Sequence, residues 1–135
     1  MKYDKKKIDI KGKQMAYVDE GQGNDTFLMI HGNPSSSFIW RNIAPGIKKL
    51  GRVVMPDLIG MGDSDKLEGF DNPNYSFNGH YFYLEELFNR LELDNVHLVI
   101  QDWGSALGFK LARLNSSKIK SVSYTHLTLP TTPYV

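Results

Sequence analysis

The sequence predicts an α/β protein, a mostly parallel sheet with helices on both faces, on three observations. Short, mainly apolar runs recur at "TFLMI" (26–30), "RVVMP" (52–56) and "VHLVI" (96–100), as expected of strands covered on both sides. Between them lie stretches whose apolar residues repeat at helical spacing. Each run also empties into a loop rich in Gly, Asn or Asp: "HGNP", "DLIGMGDSD" and "QDWG". Strand, loop and helix in alternation build a parallel sheet, and such sheets bind ligands beyond the carboxyl ends of their strands.

The elements follow in order. "KIDIKG" and "QMAYVDEG" alternate polar and apolar and predict a half-exposed hairpin. After "TFLMI", Ser35, Ser36 and Ser37 offer N-caps for a helix with Phe38, Ile39, Ile43 and Ile47 on one face, bent or interrupted at Pro45. "RVVMP" is the next buried strand. Ser76 caps a helix carrying Tyr81, Leu84, Leu87, Phe88 and Leu91. "VHLVI" is followed by a helix over "SALGFKLARL", with Leu107, Leu111 and Leu114 in phase, and "IKSV" begins a further strand.

Composition narrows the function classes. A chain of 135 residues, 41% hydrophobic and 12% aromatic, suits one domain with a real core. Sixteen Lys+Arg against fifteen Asp+Glu leave a net charge of +1, which gives neither nucleic acid nor an anionic membrane a hold. Without cysteine there are no disulfides, thiolate nucleophiles or Cys-ligated metals, a composition that fits a reducing compartment. Six of the first thirteen residues are lysine, but no apolar segment follows as in a signal peptide, so this start is predicted to be a solvated strand edge. No run approaches a membrane span, and a cytoplasmic location is expected. No His/Asp/Glu cluster has metal-ligand spacing, and no cofactor is expected.

Asp102 is the first candidate for chemistry. It follows a strand, precedes a helix and has Gly104 two residues on, the pattern of a nucleophile elbow with carboxylate in place of serine. The competing reading is an ordinary N-cap with Ser105 at N3, since Asp is among the preferred caps. An elbow nucleophile needs oxyanion donors from the residue after it and from the loop after an earlier strand, which is where "HGNP" falls. "DLIGMGDSD" lacks the G-K-[ST] ending of a phosphate cradle. His80 and His97 are assigned to a helix face and a strand face.

"MAYVDEG", "IHGNPSSSFIWRNIAP", "PDLIGMGDSDK" and "VIQDWGSALGFKLAR" together resemble a haloalkane dehalogenase of the α/β-hydrolase superfamily, over residues 8 to 121. The resemblance implies the N-terminal part of an α/β-hydrolase fold. It also implies that Asp102 displaces halide as a nucleophile while Asn33 and Trp103 hold the leaving ion. The expected partners are a small halogenated hydrocarbon, halide and water. His31 then shapes its loop and is not the base.

Three departures qualify that expectation. Gln101 stands where the family has histidine. The family's base histidine comes late, after a cap domain, and by the family's spacing His126 falls at the place of the catalytic acid. From Ser121 onward no Asp, Glu, Lys or Arg occurs, and "SVSYTHLTLPTTPYV" resembles translated adapter sequence more than any family segment. Residues 1–121 are therefore expected to be a truncated core domain and 122–135 a non-family tail, and the chain alone is expected to be inactive. Three alternatives share the motifs. A coelenterazine-type luciferase has His-Gly-Asn and Asp-Trp-Gly, but Pro34 and "WGSALGF" favour the dehalogenase. An epoxide hydrolase also uses an elbow Asp, with an aromatic residue at the position of Asn33. In a non-catalytic binding protein Asp102 merely caps its helix.

Overall fold

β1 (Lys6–Ile10) and β2 (Lys13–Glu20) form an antiparallel hairpin in the computed structural model, which describes residues 3–69 and 71–124. Lys11 and Gly12 join them with φ of 56° and 82°, the positive pair that a tight two-residue hairpin turn requires. The hairpin is less exposed than expected. Met15 to Val18 are buried because β2 also pairs on its other side, antiparallel to β4.

β3 (Thr26–Ile30) is the apolar run that precedes "HGNP". The helix expected after the three serines, bent or interrupted at Pro45, is broken into two short pieces. Ser36 does cap, its Oγ accepting from Phe38 N–H at 3.2 Å, but a 3-10 turn over Ser37–Trp40 follows, and then α1 (Ala44–Ile47). Pro45 lacks an N–H and is tolerated only in a first helical turn, so it starts α1 instead of sitting inside a longer helix. Phe38 and Ile43 consequently miss the apolar stripe and lie exposed, while Trp40 and Ala44 take the buried positions.

β4 (Arg52–Pro56), α2 (Phe77–Arg90), β5 (Val96–Ile100), α3 (Trp103–Leu114) and β6 (Ile119–Tyr124) complete the order. Ser76 Oγ accepts from Gly79 N–H at 3.1 Å and caps α2. Tyr81, Leu84, Leu87 and Phe88 are buried as their phase requires. Leu107 and Leu111 are likewise buried on α3, whereas Leu114, its last residue, stays half exposed.

The sheet order is β1-β2-β4-β3-β5-β6, with β4, β3, β5 and β6 parallel. Alternate residues feed two cores. Leu28, Ile30, Val54, Leu98 and Ile100 face α2 and α3, while Met29, Val53 and Met55 pack with Trp40 and Ala44 on the other side. From β3 the chain goes to β4 on one side, then to β5 on the other. The loops leaving β3 and β5 therefore emerge side by side at a switch point, and Ile30 pairs with Ile100 at their ends.

Leu84 is fully buried in the larger core. Leu84→Ala is expected to cost about 2–5 kcal/mol in urea unfolding, against about 0.5 kcal/mol or less for Asn78→Ala on the exposed face of α2.

Candidate active site

Asp102 stands at the turn from β5 into α3 with φ 55° and ψ −128°, a conformation that non-glycine residues rarely adopt. Its surroundings impose that turn. Gly104 N–H donates to Gln101 O at 2.9 Å and Ser105 N–H to Asp102 O at 2.8 Å. Two glycines let the chain pass: a Cβ on Gly104 would lie 2.3 Å from Ile30 O, and one on Gly32 would lie 2.4 Å from Asp102 Cβ.

The N-cap reading of Asp102 is overturned, because its carboxylate makes no capping bond to α3. Positive φ aims the side chain away from the helix. Oδ2 instead accepts the Asn33 backbone N–H across the switch point, at 3.1 Å, and Oδ1 makes no hydrogen bond among the described residues. Nor is Asp102 a buried charge: it lies exposed, together with Asn33 and Trp103. Trp103, 47% exposed, leans on Phe77 with ring centroids 6.0 Å apart.

Asn33 and Trp103 share the wall of one hollow of about 60 Å³ with Leu58, Met61, Tyr75 and His80. At roughly 10–15 Å³ for each water, that is room for a small anion or a few waters. His80 was not expected here. It is buried in the first turn of α2, and its Nδ1 has no partner among the described residues. Burial, and secondarily His31, lower its pKa, so the ring is neutral. The signal for it lay in its place: a helix that follows a parallel strand begins at the sheet end where ligands bind. A larger hollow of about 340 Å³ lies elsewhere, among Tyr3, Val18, Phe38, Arg41 and Met55, and does not include Asp102.

His31 shapes its loop, as expected. Leu58 N–H donates to its Nε2 at 2.9 Å, so Nδ1 carries the proton and donates to Gly32 O at 2.6 Å. Burial lowers its pKa against the opposing pull of the Gly32 carbonyl and Asp57.

Asp57 is a residue that the sequence reading missed. Its fully buried carboxylate accepts from Ser37 N–H at 2.8 Å, Asp63 N–H at 2.9 Å and Lys5 Nζ at 2.6 Å. Burial alone would raise its pKa, but the Asp63 N–H, the Lys5 ammonium and Ser37 together hold it below the usual range. "DLIGMGDSD" does cradle an anion, and that anion is its own first residue. A Cβ on Gly62 would lie 2.4 Å from Asp57 Oδ2, so the glycine is needed for the approach. Lys5 also departs from the solvated edge predicted for the basic start.

The remaining candidates separate from this centre. His97 lies along β5, stacked on Phe27, between Ser121 Oγ at 2.6 Å and Asp25 Oδ1 at 3.1 Å. Gln101 keeps the elbow but leaves its Oε1 buried and unpartnered among the described residues. His126 lies outside the described residues. Among those described, no group of three His, Asp or Glu is placed to hold a metal, and no helix is long and apolar enough to cross a membrane.

This arrangement agrees with the comparisons. The family model for the alpha/beta hydrolase fold matches residues 25–125. The chain belongs to the α/β-hydrolase fold family. A haloalkane dehalogenase of Sphingobium indicum is 51% identical over 122 residues, 90% of this chain and 41% of that protein. One of Mycolicibacterium smegmatis is 47% identical over 115 residues, 84% of this chain and 37% of that protein. The solved haloalkane dehalogenase of Agrobacterium tumefaciens superposes with a TM-score of 0.82 at 33% identity, over 90% of this chain and 40% of that one. An epoxide hydrolase superposes with a TM-score of 0.79 at 26% identity, over 96% of this chain and 48% of that one. The chain thus spans about two-fifths of the length of the curated relatives it matches.

In this α/β hydrolase both histidines beside the site are neutral, with folded-state pKa values below the ordinary one. The unfolded chain therefore binds more protons as pH falls below about 6.5, and stability present above that value is lost toward the lower folded-state pKa. Unfolding free energies from urea titrations should fall between pH 7 and pH 5, by at most about 1.4 kcal/mol per pH unit for each histidine, and His80→Phe should flatten the fall. Equal wild-type values would contradict the assignment.

Proposed function

We propose that this segment carries the nucleophile and halide cradle of a hydrolytic haloalkane dehalogenase. The observation that carries the reading is the Asn33 N–H on Asp102 Oδ2, with the Asn33 and Trp103 side chains on one hollow beside it. A carboxylate is ionised at neutral pH and needs no base to attack, unlike the serine of most elbows. Oδ1, the oxygen without a partner, attacks the sp3 carbon, and the carbon–halogen bond breaks with its electron pair leaving on the halide. The Asn33 amide and the Trp103 indole N–H, donors with the right polarity, hold that anion.

The alkyl ester on Asp102 must then be hydrolysed. Water activated by a base attacks the carboxyl carbon, and Oδ2 carries the developing negative charge against the Asn33 N–H, with the Trp103 backbone N–H as second donor. The products are an alcohol, a halide ion and a proton. Asn33 favours this chemistry over epoxide opening, since a halide needs a donor where that reaction's enzymes carry an aromatic residue.

The base belongs, on this reading, to the part of the relatives' length that the chain does not span. Residues 122–135 are proposed to be foreign to the family, with the family match ending four residues into this stretch, at residue 125. The pairing of Val122 to Tyr124 with β5 does not argue against this, because ladder bonds are made by the main chain and tolerate any β-forming sequence. The cysteine-free composition supports the cytoplasm as the location.

In a protein joining this segment to the rest of the relatives' length, Asp102→Ala should abolish turnover. Asn33→Ala and Trp103→Phe should each slow halide release about tenfold to a hundredfold, since a charge-assisted hydrogen bond contributes about 1.5–3 kcal/mol. Dehalogenation retained in Asp102→Ala overturns the nucleophile assignment. The chain alone, incubated with excess 1-bromobutane, should release no more than one bromide per molecule. A higher yield would place a working base within it, with His80 and His126 as candidates.

A further inference from the structure

Lys5 stands just before β1, on the wall of the larger hollow and outside the candidate site, yet its ammonium meets a carboxylate that holds the loop carrying Asn33. Nζ lies 2.6 Å from Asp57 Oδ2 and 2.9 Å from Asp63 Oδ2. The Asp63 side chain is 65% exposed, so that pair contributes little. The Asp57 side chain is fully buried, and a buried carboxylate deprived of its counter-charge is costly.

What Asp57 holds gives Lys5 its reach. The loop from His31 to Ser37 is pinned at both ends to residues 57 and 58. Ser37 N–H donates to Asp57 Oδ1, and Leu58 N–H donates to His31 Nε2. Asn33 lies between those pins, with its N–H on Asp102. We infer that Lys5 is a positioning residue of the site: its ammonium keeps the Asp57 carboxylate charged and seated, and thereby sets where Asn33 meets Asp102 and the halide hollow. The halide part of this inference rests on the function proposed above.

A pH signature follows. The groups facing the Asp57 carboxylate are the Lys5 ammonium, the Asp63 carboxylate, the Ser37 and Asp63 N–H groups and, nearby, neutral His31. Lys5 is the one cation among them. In Lys5→Met the carboxyl takes up a proton more readily, and a protonated carboxyl accepts fewer hydrogen bonds. On acidification the Ser37 pin should loosen at a higher pH than in the wild type.

The test uses the 135-residue chain and two NMR readouts. The Asn33 amide shift is followed against pH without halide. Bromide is then titrated at neutral pH while the Trp103 indole N–H is watched. Lys5→Met should displace the Asn33 amide, make it titrate with acid, and weaken bromide about three- to tenfold. Lys5→Arg should restore both readouts, and Asp63→Asn should change neither. Lys5→Gln gives the same readouts should the methionine variant not fold. A purely structural Lys5 would lower stability but leave the Asn33 amide and its pH profile as in the wild type, which overturns the inference. If the wild type shows no bromide response, the halide reading fails, and the Asn33 amide still decides the role of Lys5.

Discussion

At Asp102 the backbone takes a conformation that costs on the order of 1–3 kcal/mol for a non-glycine residue, and it persists only because the surroundings over-determine it. Three features do so together. β3 and β5 are parallel neighbours in register to their last residues, so their outgoing loops must share the same space. Gly104 gives up its side chain to the carbonyls of Ile30 and His31, and Gly32 gives up its own to the Cβ of Asp102. With both side chains absent, the Asn33 N–H closes to hydrogen-bond distance from the carboxylate. The candidate site is therefore a consequence of sheet topology plus two missing Cβ atoms.

A second carboxylate steadies this arrangement from behind. Asp57 is buried and ionised, and its three partners come from the start of β1, the end of the β3 loop and its own loop. Asp102 and Asp57 divide two tasks by environment. The exposed carboxylate keeps one oxygen without a hydrogen bond among the described residues, while the buried one has its acceptors taken up by the protein. The same distinction explains why a glycine-rich loop without a phosphate motif still reads as an anion cradle.

Much of this was legible in the sequence, and the misses have physical causes. The three apolar strand runs follow from their near-continuous hydrophobicity, and α2 and α3 from apolar periodicity, because each helix buries one face. The motif loops fell at the sheet end where topology puts them, which brought Asp102, Asn33 and Trp103 together as expected. The helix expected over Phe38 to Ile47 with an interruption at Pro45 forms as two short pieces, because Pro45 is tolerated only in a first turn and so starts a new one. Lys5 looked like surface charge because its partner is fifty-two residues away, and no local pattern announces a long-range ion pair. His80 looked like a helix-face residue because its role depends on where α2 begins and not on its neighbours in the chain. The N-cap alternative for Asp102 could be discarded only with a φ value in hand.

The claim that most depends on this geometry is that Asp102 is a nucleophile held with one oxygen bound and one free. Incubating the chain with 1-bromobutane at neutral pH, digesting it and sequencing the peptides by mass spectrometry tests it directly. A butyl ester on the peptide containing Asp102, at Asp102 and lost in Asp102→Asn, is the expected result. Asp102 alkylated no more than other exposed carboxylates, such as Asp63, would contradict it.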